Sequence, residues 1–287
     1  MSRPVRLEFA GANYYISCHA IDGLPLFRTD DDRAVFINIL GSVTDQFQWI
    51  LHGYVLMEDH YHLMLELDRT NLSRGMQQLN GVYTQHYNRM HNRSGTLFRG
   101  RFQNLVFEKK NCLLALYRHM VLNPVRSGLV SSPEEYIWSS HRQMAGQTAG
   151  HEFVNCRELL LQLARSQSQA RKKYRDYVQE GLLASALRSP LDEKRHQVLL
   201  GSDRFIEKVL PLLKQSDKSG SGQRSLKSGN HRQTLAVIFS NVNGISRLER
   251  NLLIMRAHYE YGYALADIGE YLGLHYTTIR RVVNGKN

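Results

Sequence analysis

Two histidines separated by one residue are the first feature of this sequence that could carry chemistry. His60 and His62 open the apolar run HYHLMLEL. Alternate residues of a β-strand point to the same face, so both imidazoles would project together, roughly 6.5 Å apart at the backbone. Two neutral imidazoles in this arrangement can chelate one divalent cation. A pair of surface histidines on an edge strand is the alternative, but the bulky residues around the pair favour a central strand.

A second group of polar residues lies in the stretch LYRHMVLNPVRSGLV, residues 116–130. His119 and Asn123 are four residues apart, so on a helix they share one face. Pro124 ends that helix, because proline lacks an amide proton and clashes with the preceding turn. The amide of Asn123 is then free either to bind a metal or to bond an orphan carbonyl, and both interpretations remain open.

The elements that must position these residues alternate between strand and helix over the first 150 residues. The apolar patterns predict a strand at 14–18, a helix at 30–46, two strands over 49–67 with a turn at 57–59, a helix from 72 to about 91, strand character at 95–109 and a helix from about 111 to 124. Such an exchange of strands and helices predicts an α+β domain with an antiparallel sheet flanked by helices.

The remaining residues are predicted to be helical, interrupted by one basic segment. A chain of 287 residues suggests roughly two domains. Residues 153–183 and 192–213 have helical patterns, whereas 214–232 combine Gly and Ser with five Lys/Arg and one Asp. That composition is typical of a flexible linker. The predicted domains are 1–150, a helical extension at 151–213, the basic linker at 214–232 and a helical module at 233–287.

Composition limits the classes of function. Apolar residues make up 42% and charged residues 22%, which excludes a disordered chain, and the net charge of +11 suits a polyanionic partner such as nucleic acid. Three isolated cysteines, Cys18, Cys112 and Cys156, argue against a disulfide framework and favour the cytosol. No stretch has the length of a signal peptide or a membrane span, so we expect a cytoplasmic protein without a membrane partner.

Four segments together resemble a known family. The strand MEDHYHLMLEL, the run LSRGMQQLNGVYTQHYN, the strand GTLFRGRFQNLVFEK and the stretch LNPVRSGLVSSPEEYIWSS resemble the single-tyrosine HUH transposases, particularly the REP-associated tyrosine transposases (RAYTs). The resemblance covers about residues 3 to 145. It implies a ferredoxin-like sheet flanked by helices that binds single-stranded DNA, often next to a hairpin, and acts in DNA transposition.

The resemblance also implies a catalytic site. His60 and His62 would hold Mg²⁺ or Mn²⁺, Asn123 would complete the metal site, and a tyrosine one turn before it would attack phosphorus to form a 5′-phosphotyrosyl link. This sequence has His119 at the tyrosine position. Tyr117 lies two residues earlier, about 200° around the helix, and should face away from the metal.

Three outcomes of this departure remain open. The chain could be an inactivated descendant that still binds DNA, a local distortion could recruit Tyr117, or His119 could act as nucleophile or base. The last would turn a transesterase into a metal-assisted nuclease, because a histidine can deprotonate water near neutral pH.

Two basic segments are expected to contact DNA in the N-terminal domain. Phe98 to Gln103 interleaves arginines with aromatic residues, so Arg99 and Arg101 could pair with phosphates while Phe102 stacks on a base. An ordinary half-buried strand is the alternative. Arg126 belongs to the stretch that carries Asn123 and is also expected to contact DNA.

The C-terminal module has the pattern of a helix-turn-helix. An apolar stripe over 265–272 is followed by Gly273 and by a second helix starting near Thr277. The positions expected to face duplex DNA are His275, Tyr276, Thr277, Thr278, Arg280 and Arg281. The stretch resembles the C-terminal DNA-binding domain of the replication initiator DnaA. A helical hairpin without a DNA role is the alternative.

The leading hypothesis is therefore a RAYT-like protein that cleaves and joins single-stranded DNA with a divalent metal and binds nucleoid DNA in the cytoplasm. The alternative is a catalytically inactive, domesticated DNA-binding protein that recognises a specific sequence. A metal hydrolase acting on a small substrate is weaker, because it leaves the positive charge and the helix-turn-helix unused. By analogy with the family, a homodimer is also plausible.

Overall fold

The computed structural model describes residues 7–183, 189–219, 234–240, 244, 247–259, 263 and 265–283. The chain divides into two units, Met1–Gly222 and Gln223–Asn287. The predicted extension at 151–213 is thus part of the same unit as the N-terminal domain. Most of the predicted basic linker lies outside the described residues.

A five-stranded sheet organises the first unit. In chain order, its elements are β1 (Asn13–His19), α1 (Asp30–Phe47), β2 (Trp49–Leu56), β3 (His60–Leu67), α2 (Leu72–Met90), β4 (Gln103–Phe107), α3 (Lys109–Val121), α4 (Asn123–Arg126), α5 (His141–Met144), α6 (Arg157–Leu163), α7 (Gln167–Leu183), a 3-10 helix (Pro190–Glu193), β5 (Leu199–Leu200) and α8 (Asp203–Ser219).

The strand order is β2-β3-β1-β4-β5. The first four strands are antiparallel neighbours, and with α1 and α2 they form the ferredoxin-like arrangement. The predicted α+β fold is confirmed. The sheet is mixed rather than wholly antiparallel, because β5 pairs in parallel with β4.

The two faces of the sheet have different partners. On β3, Tyr61 and Leu63 belong to the core that includes residues of α1 and α2, and the ring of Tyr61 lies 4.7 Å from that of Phe36 on α1. Met64 belongs to the core shared with α3 and α7. Because side chains alternate along a strand, His60 and His62 are on the α3 face with Met64.

Gly53 allows α3 to approach the sheet closely. A Cβ atom at this position of β2 would lie 2.4 Å from the ring of Tyr117 on α3 and 2.7 Å from Oγ of Ser140. The β2–β3 register also shifts between Leu51 and Gly53. A side chain at position 53 would therefore force α3, which leads into Asn123, away from the histidine-bearing strand.

Some sequence predictions need correction. Strand structure covers only β4 rather than 95–109, because the chain turns before it, with Gly100 at φ +73°. The predicted helix at 192–213 is wrong in its first half, where the chain forms a 3-10 turn and then β5 at the sheet edge. Helix α8 then continues to Ser219, six residues into the predicted linker. Residues 153–183 are not wholly helical, because they form two helices, Arg157–Leu163 and Gln167–Leu183, with a break between them.

The second unit contains α9 (Leu235–Ile238), α10 (Arg247–Tyr259), α11 (Leu265–Leu272) and α12 (Tyr276–Val283). Ile254, Ile268 and Ile279 form the centre of its core. Gly273, at φ +64°, turns the chain between α11 and α12, where the sequence predicted a turn. None of the described helices combines the length and apolar character needed to cross a bilayer.

Gly53→Ala should destabilise the protein, because its methyl group would overlap Tyr117. We expect a loss of about 1–3 kcal/mol in the free energy of unfolding, as for other overpacked cores. The measurement is urea denaturation followed by circular dichroism.

Gly81→Ala is the matched control, since a Cβ at that position of α2 would meet no atom within 4 Å. Alanine should there stabilise the helix by up to about 1 kcal/mol. Equal unfolding midpoints for the two variants would contradict the close approach of α3 to β2.

Candidate active site

Four histidines from three elements converge on the α3 face of the sheet, and we call them the histidine cluster: His19, His60, His62 and His119. The ring centroids of His60 and His62 lie 5.0 Å apart, and those of His19 and His60 lie 4.9 Å apart in a stacked arrangement. His19 reaches this position because β1 pairs with β3 in a register that sets His19 opposite His60. His119 approaches from α3, and its charge would affect His62 electrostatically.

Asn123 completes the group that the sequence predicted as metal ligands. It lies at the start of α4, directly after Leu122 ends α3, and its Nδ2 is 3.3 Å from Nε2 of His60. The two ends of an amide are interchangeable by a half-turn, so Oδ1 can face the same position as an acceptor. The structure thus brings His60, His62 and Asn123 to one place.

Asp59 orients His60. Its Oδ1 lies 2.6 Å from Nδ1 of His60, so the imidazole can donate that proton to the carboxylate and keep the lone pair of Nε2 free. Burial raises the pKa of Asp59, but the hydrogen bond with His60 and the charges of His60 and His19 together outweigh burial, so the net pKa is lowered. A carboxylate directly before the first histidine is the sequence signal for this role, whereas the apolar pattern alone places Asp59 in the turn at 57–59.

Two members of the cluster, His62 and His119, have lowered pKa values. Burial, followed by the charges of His60, His119 and His19, holds the pKa of His62 well below its usual value. Burial and the positive charge of Arg126 lower the pKa of His119 to about 4. Both rings are therefore neutral at pH 7, as a metal ligand must be. His119 can accept a proton in this state, although a pKa so far below neutrality makes it a weak base.

Tyr117 does not reach the cluster. Its side chain is fully buried beneath β2, where its hydroxyl lies 2.8 Å from Oγ of Ser140 and its ring packs 5.9 Å from that of Tyr174. Helix α3 continues without interruption past this residue to Val121. Recruitment of Tyr117 as a nucleophile would require a distortion of α3 that turns its side chain toward His60 and His62. Helix α3 shows no such distortion.

A second group of possible ligands lies farther along β3. Ligand atoms of His52, Glu66 and Glu158 all fall within 4.8 Å of one another. The ammonium of Lys109 contacts both carboxylates, with Nζ 2.5 Å from Oε2 of Glu66. Because this lysine already supplies a positive charge there, we assign the group to an ion-pair network rather than to the candidate active site.

The basic segment before β4 borders the histidine cluster. The backbone amide of Arg99 donates to the carbonyl of His19 at 2.9 Å, and its exposed guanidinium pairs with Asp22 at 2.8 Å. Arg101 is exposed, whereas Phe102 is only 9% exposed and packs in the core. The predicted stacking of Phe102 on a base is therefore not met. Phe102 instead lines, with Arg101, a groove of about 580 Å³ beside α2.

The remaining predicted DNA contacts are accessible to solvent. Arg126 is exposed at the end of α4, and its guanidinium donates to the carbonyl oxygen of His119. In the second unit, all six predicted residues of the turn and α12 are exposed: His275, Tyr276, Thr277, Thr278, Arg280 and Arg281.

Comparisons with known proteins give one family match and one structural similarity. Residues 25–111 match the family described as "Transposase IS200 like". The chain is also similar to a solved structure of a REP-associated tyrosine transposase bound to a REP hairpin. The similarity covers 51% of this chain and 87% of the transposase chain, with 14% sequence identity and a TM-score of 0.46. No curated protein sequence matches the chain.

The family match confirms the predicted resemblance over the segment that includes α1, β2, β3 and α2. It contains His60 and His62, so the part of the chain that carries the histidine pair is transposase-like. The match ends at Asn111, in the first turn of α3 and before His119.

Asp59→Asn should weaken divalent metal binding, because an amide orients and polarises the His60 ring less well than a carboxylate. Loss of such an outer-shell partner typically lowers metal affinity by about 10- to 100-fold. Isothermal titration calorimetry of Mn²⁺ with the full chain measures the metal affinity. The control is Asp31→Asn, which changes an exposed carboxylate of α1. Equal Mn²⁺ affinity in both variants would exclude the orienting role of Asp59.

The free energy of unfolding should fall as the pH drops below about 6.5, the usual pKa of histidine. Burial lowers the pKa of His62, His119 and His141 in the folded state, so the unfolded chain binds more protons below that pH. For His119 the loss continues down to about pH 4. Urea denaturation from pH 7.5 to 4.5 should show a shallower decline for His119→Gln than for the control His196→Gln, an exposed position. Parallel pH profiles for these variants would contradict a neutral, buried His119.

Proposed function

We propose that this chain, in which residues 25–111 match IS200-like transposases, binds DNA and cleaves one strand at a divalent cation held by His60, His62 and Asn123, without a tyrosine nucleophile. The observation that carries the proposal is the 3.3 Å distance between Nδ2 of Asn123 and Nε2 of His60, beside His62, whose pKa burial holds well below its usual value. The expected setting is nucleoid DNA in the bacterial cytoplasm.

The chemistry of the donors fits a divalent cation. His62 is 9% exposed and burial keeps its pKa well below the usual value, while Asp59 fixes the orientation of the neighbouring ring. Two imidazoles and one amide oxygen leave coordination positions for water and a phosphate oxygen. Mg²⁺ or Mn²⁺ bound there would polarise the scissile phosphate and lower the pKa of a bound water.

His119 is the proposed proton acceptor, because its charge would act on His62 within the same cluster. Water attacks phosphorus, the P–O bond to the leaving strand breaks, and an imidazole nitrogen of His119 accepts the proton released by the water. The leaving oxygen takes up a proton from solvent. Because the nucleophile is water, no phosphoprotein intermediate forms and the strand is hydrolysed rather than joined.

The second candidate function is DNA binding without cleavage. Two observations favour it: the tyrosine of the family is replaced by His119, and the pKa of about 4 makes His119 a weak base. In that case, the chain would be a domesticated DNA-binding protein that retains the metal ligands.

Hairpin-bearing single-stranded DNA with Mn²⁺ or Mg²⁺ should be nicked by the wild-type chain without a denaturant-stable protein–DNA adduct. His60→Ala should lower the single-turnover rate by about 100-fold or more, because it removes a metal ligand. Tyr117→Phe is the matched control and should retain cleavage. Denaturing gels of end-labelled DNA resolve product and adduct.

Two results would overturn this proposal. An adduct that disappears in Tyr117→Phe would establish a tyrosine mechanism in spite of the burial of Tyr117. DNA binding without any cleavage, combined with cleavage by His119→Tyr, would establish the second candidate, an inactivated enzyme.

The second unit is proposed to bind duplex DNA through α12. Support comes from the exposure of Arg280 and Arg281 on one short helix that packs in the core through Ile279 and Val283. Arg280→Ala should weaken binding of a duplex selected from random sequences by about 5- to 100-fold, the range of one good base or phosphate contact. Fluorescence anisotropy measures the affinity, and Arg165→Ala, exposed in the first unit, is the control. Unchanged affinity in Arg280→Ala would remove α12 as a recognition helix.

A further inference from the structure

Two hydrogen-bond donors beside the histidine cluster lack the partner that their chemistry requires. The Tyr15 hydroxyl is buried and has no hydrogen-bond partner among the described residues. Arg126 donates to the carbonyl of His119, but within the described part of the chain no carboxylate lies within 4.0 Å of its guanidinium. Arg99, on the other border of the cluster, has such a carboxylate in Asp22. The positive charge of Arg126 is therefore not neutralised by the protein.

Both donors adjoin the predicted metal ligands. Tyr15 lies on β1, and its ring is 5.2 Å from that of His62. Arg126 is held at the C-terminal end of α3 by its bond to the backbone of His119. Its charge acts on both neighbours, because it lowers the pKa of His119 and opposes the rise that burial causes in the pKa of the Tyr15 hydroxyl.

The missing partner is an acceptor with negative charge. A guanidinium has only donors, and a buried hydroxyl without an acceptor costs free energy that a bound acceptor would recover. A phosphate group satisfies both, since its nonbridging oxygens accept several charge-assisted hydrogen bonds and match the planar fork of arginine. Arg126 is exposed, so its guanidinium would contact the phosphate first. The Tyr15 hydroxyl would donate a hydrogen bond after the phosphate had bound beside the histidines.

We propose that Arg126 and Tyr15 form a receptor for the nonbridging oxygens of the phosphodiester that is cleaved at the histidine cluster. The identification of the phosphate as part of DNA rests on the proposed function. Negative charge increases on these oxygens as water attacks, so donors fixed beside them stabilise the transition state more than the bound substrate. Arg126 is then a catalytic residue that contacts the reacting phosphate, rather than a residue that only binds the DNA backbone.

Single-turnover cleavage of hairpin-bearing DNA tests the catalytic part. Arg126→Ala should lower the rate by about 10²- to 10³-fold, as expected for loss of one transition-state donor, while DNA affinity falls less than tenfold. Free guanidinium should restore part of the rate, but an equal concentration of NaCl should not. Tyr15→Phe should lower the rate by about tenfold without loss of thermal stability, since the hydroxyl has no partner to lose. Arg165→Ala is the control.

Inorganic phosphate provides a test that does not depend on cleavage. In the presence of Mg²⁺, phosphate should raise the unfolding temperature of the wild-type chain. It should raise that of Tyr15→Phe by a smaller amount and leave that of Arg126→Ala unchanged. If phosphate binds in this way but DNA is not cut, the receptor stands and the proposed cleavage fails. If Arg126→Ala cleaves DNA at the wild-type rate, or if phosphate stabilises all variants equally, the receptor is refuted while the proposed function stands.

Discussion

The close contact between α3 and β2 at Gly53 is the constraint on which the candidate site depends. The sheet supplies His19, His60 and His62 from two neighbouring strands, but His119 and Asn123 come from the helical segment that crosses their face. Those two groups can meet only if the helix lies almost against the strand backbone, and the absence of a side chain at position 53 permits this. The same contact buries Tyr117, so the position of the site and the inaccessibility of its nearest tyrosine have one cause.

Local periodicity made part of this site predictable. The two-residue period of a strand places His60 and His62 on one face, and the helical period places His119 with Asn123 and opposite Tyr117. His19 and Tyr15 could not be found in this way, because they reach the cluster through the pairing of β1 with β3, and the register of that pairing is not encoded in either strand alone. The ferredoxin-like order was anticipated from the family resemblance. The parallel edge strand β5 was missed, since a two-residue strand has no periodicity to read.

The lowered pKa values of His62 and His119 are consistent with the proposed metal site, because a metal ligand must be unprotonated. Burial, followed by the charges of His60, His119 and His19, disfavours a proton on His62, and burial likewise disfavours a proton on His119. A divalent ion uses the lone pairs that protons would otherwise occupy and concentrates its charge at one point, where Asp59 supplies a compensating carboxylate. Arg126 adds a further positive charge at the rim, so the site without ligand has an excess of donors and positive charge that an anionic substrate would balance.

The packing of Tyr117 in the core disfavours a covalent tyrosine mechanism, in addition to the replacement of the family's tyrosine by His119. Tyr117 and His119 point in nearly opposite directions from α3, so turning the helix to expose one would bury the other. That rotation would break the hydrogen bond between Tyr117 and Ser140, leave a cavity beside Tyr174 and press an imidazole into the space under Gly53. Emptying a buried aromatic site costs about 3–5 kcal/mol, a large fraction of the stability of an average domain. Within the described part of the chain, this packing keeps the Tyr117 hydroxyl away from His60 and His62 and thus favours the proposed attack by water over a tyrosine mechanism.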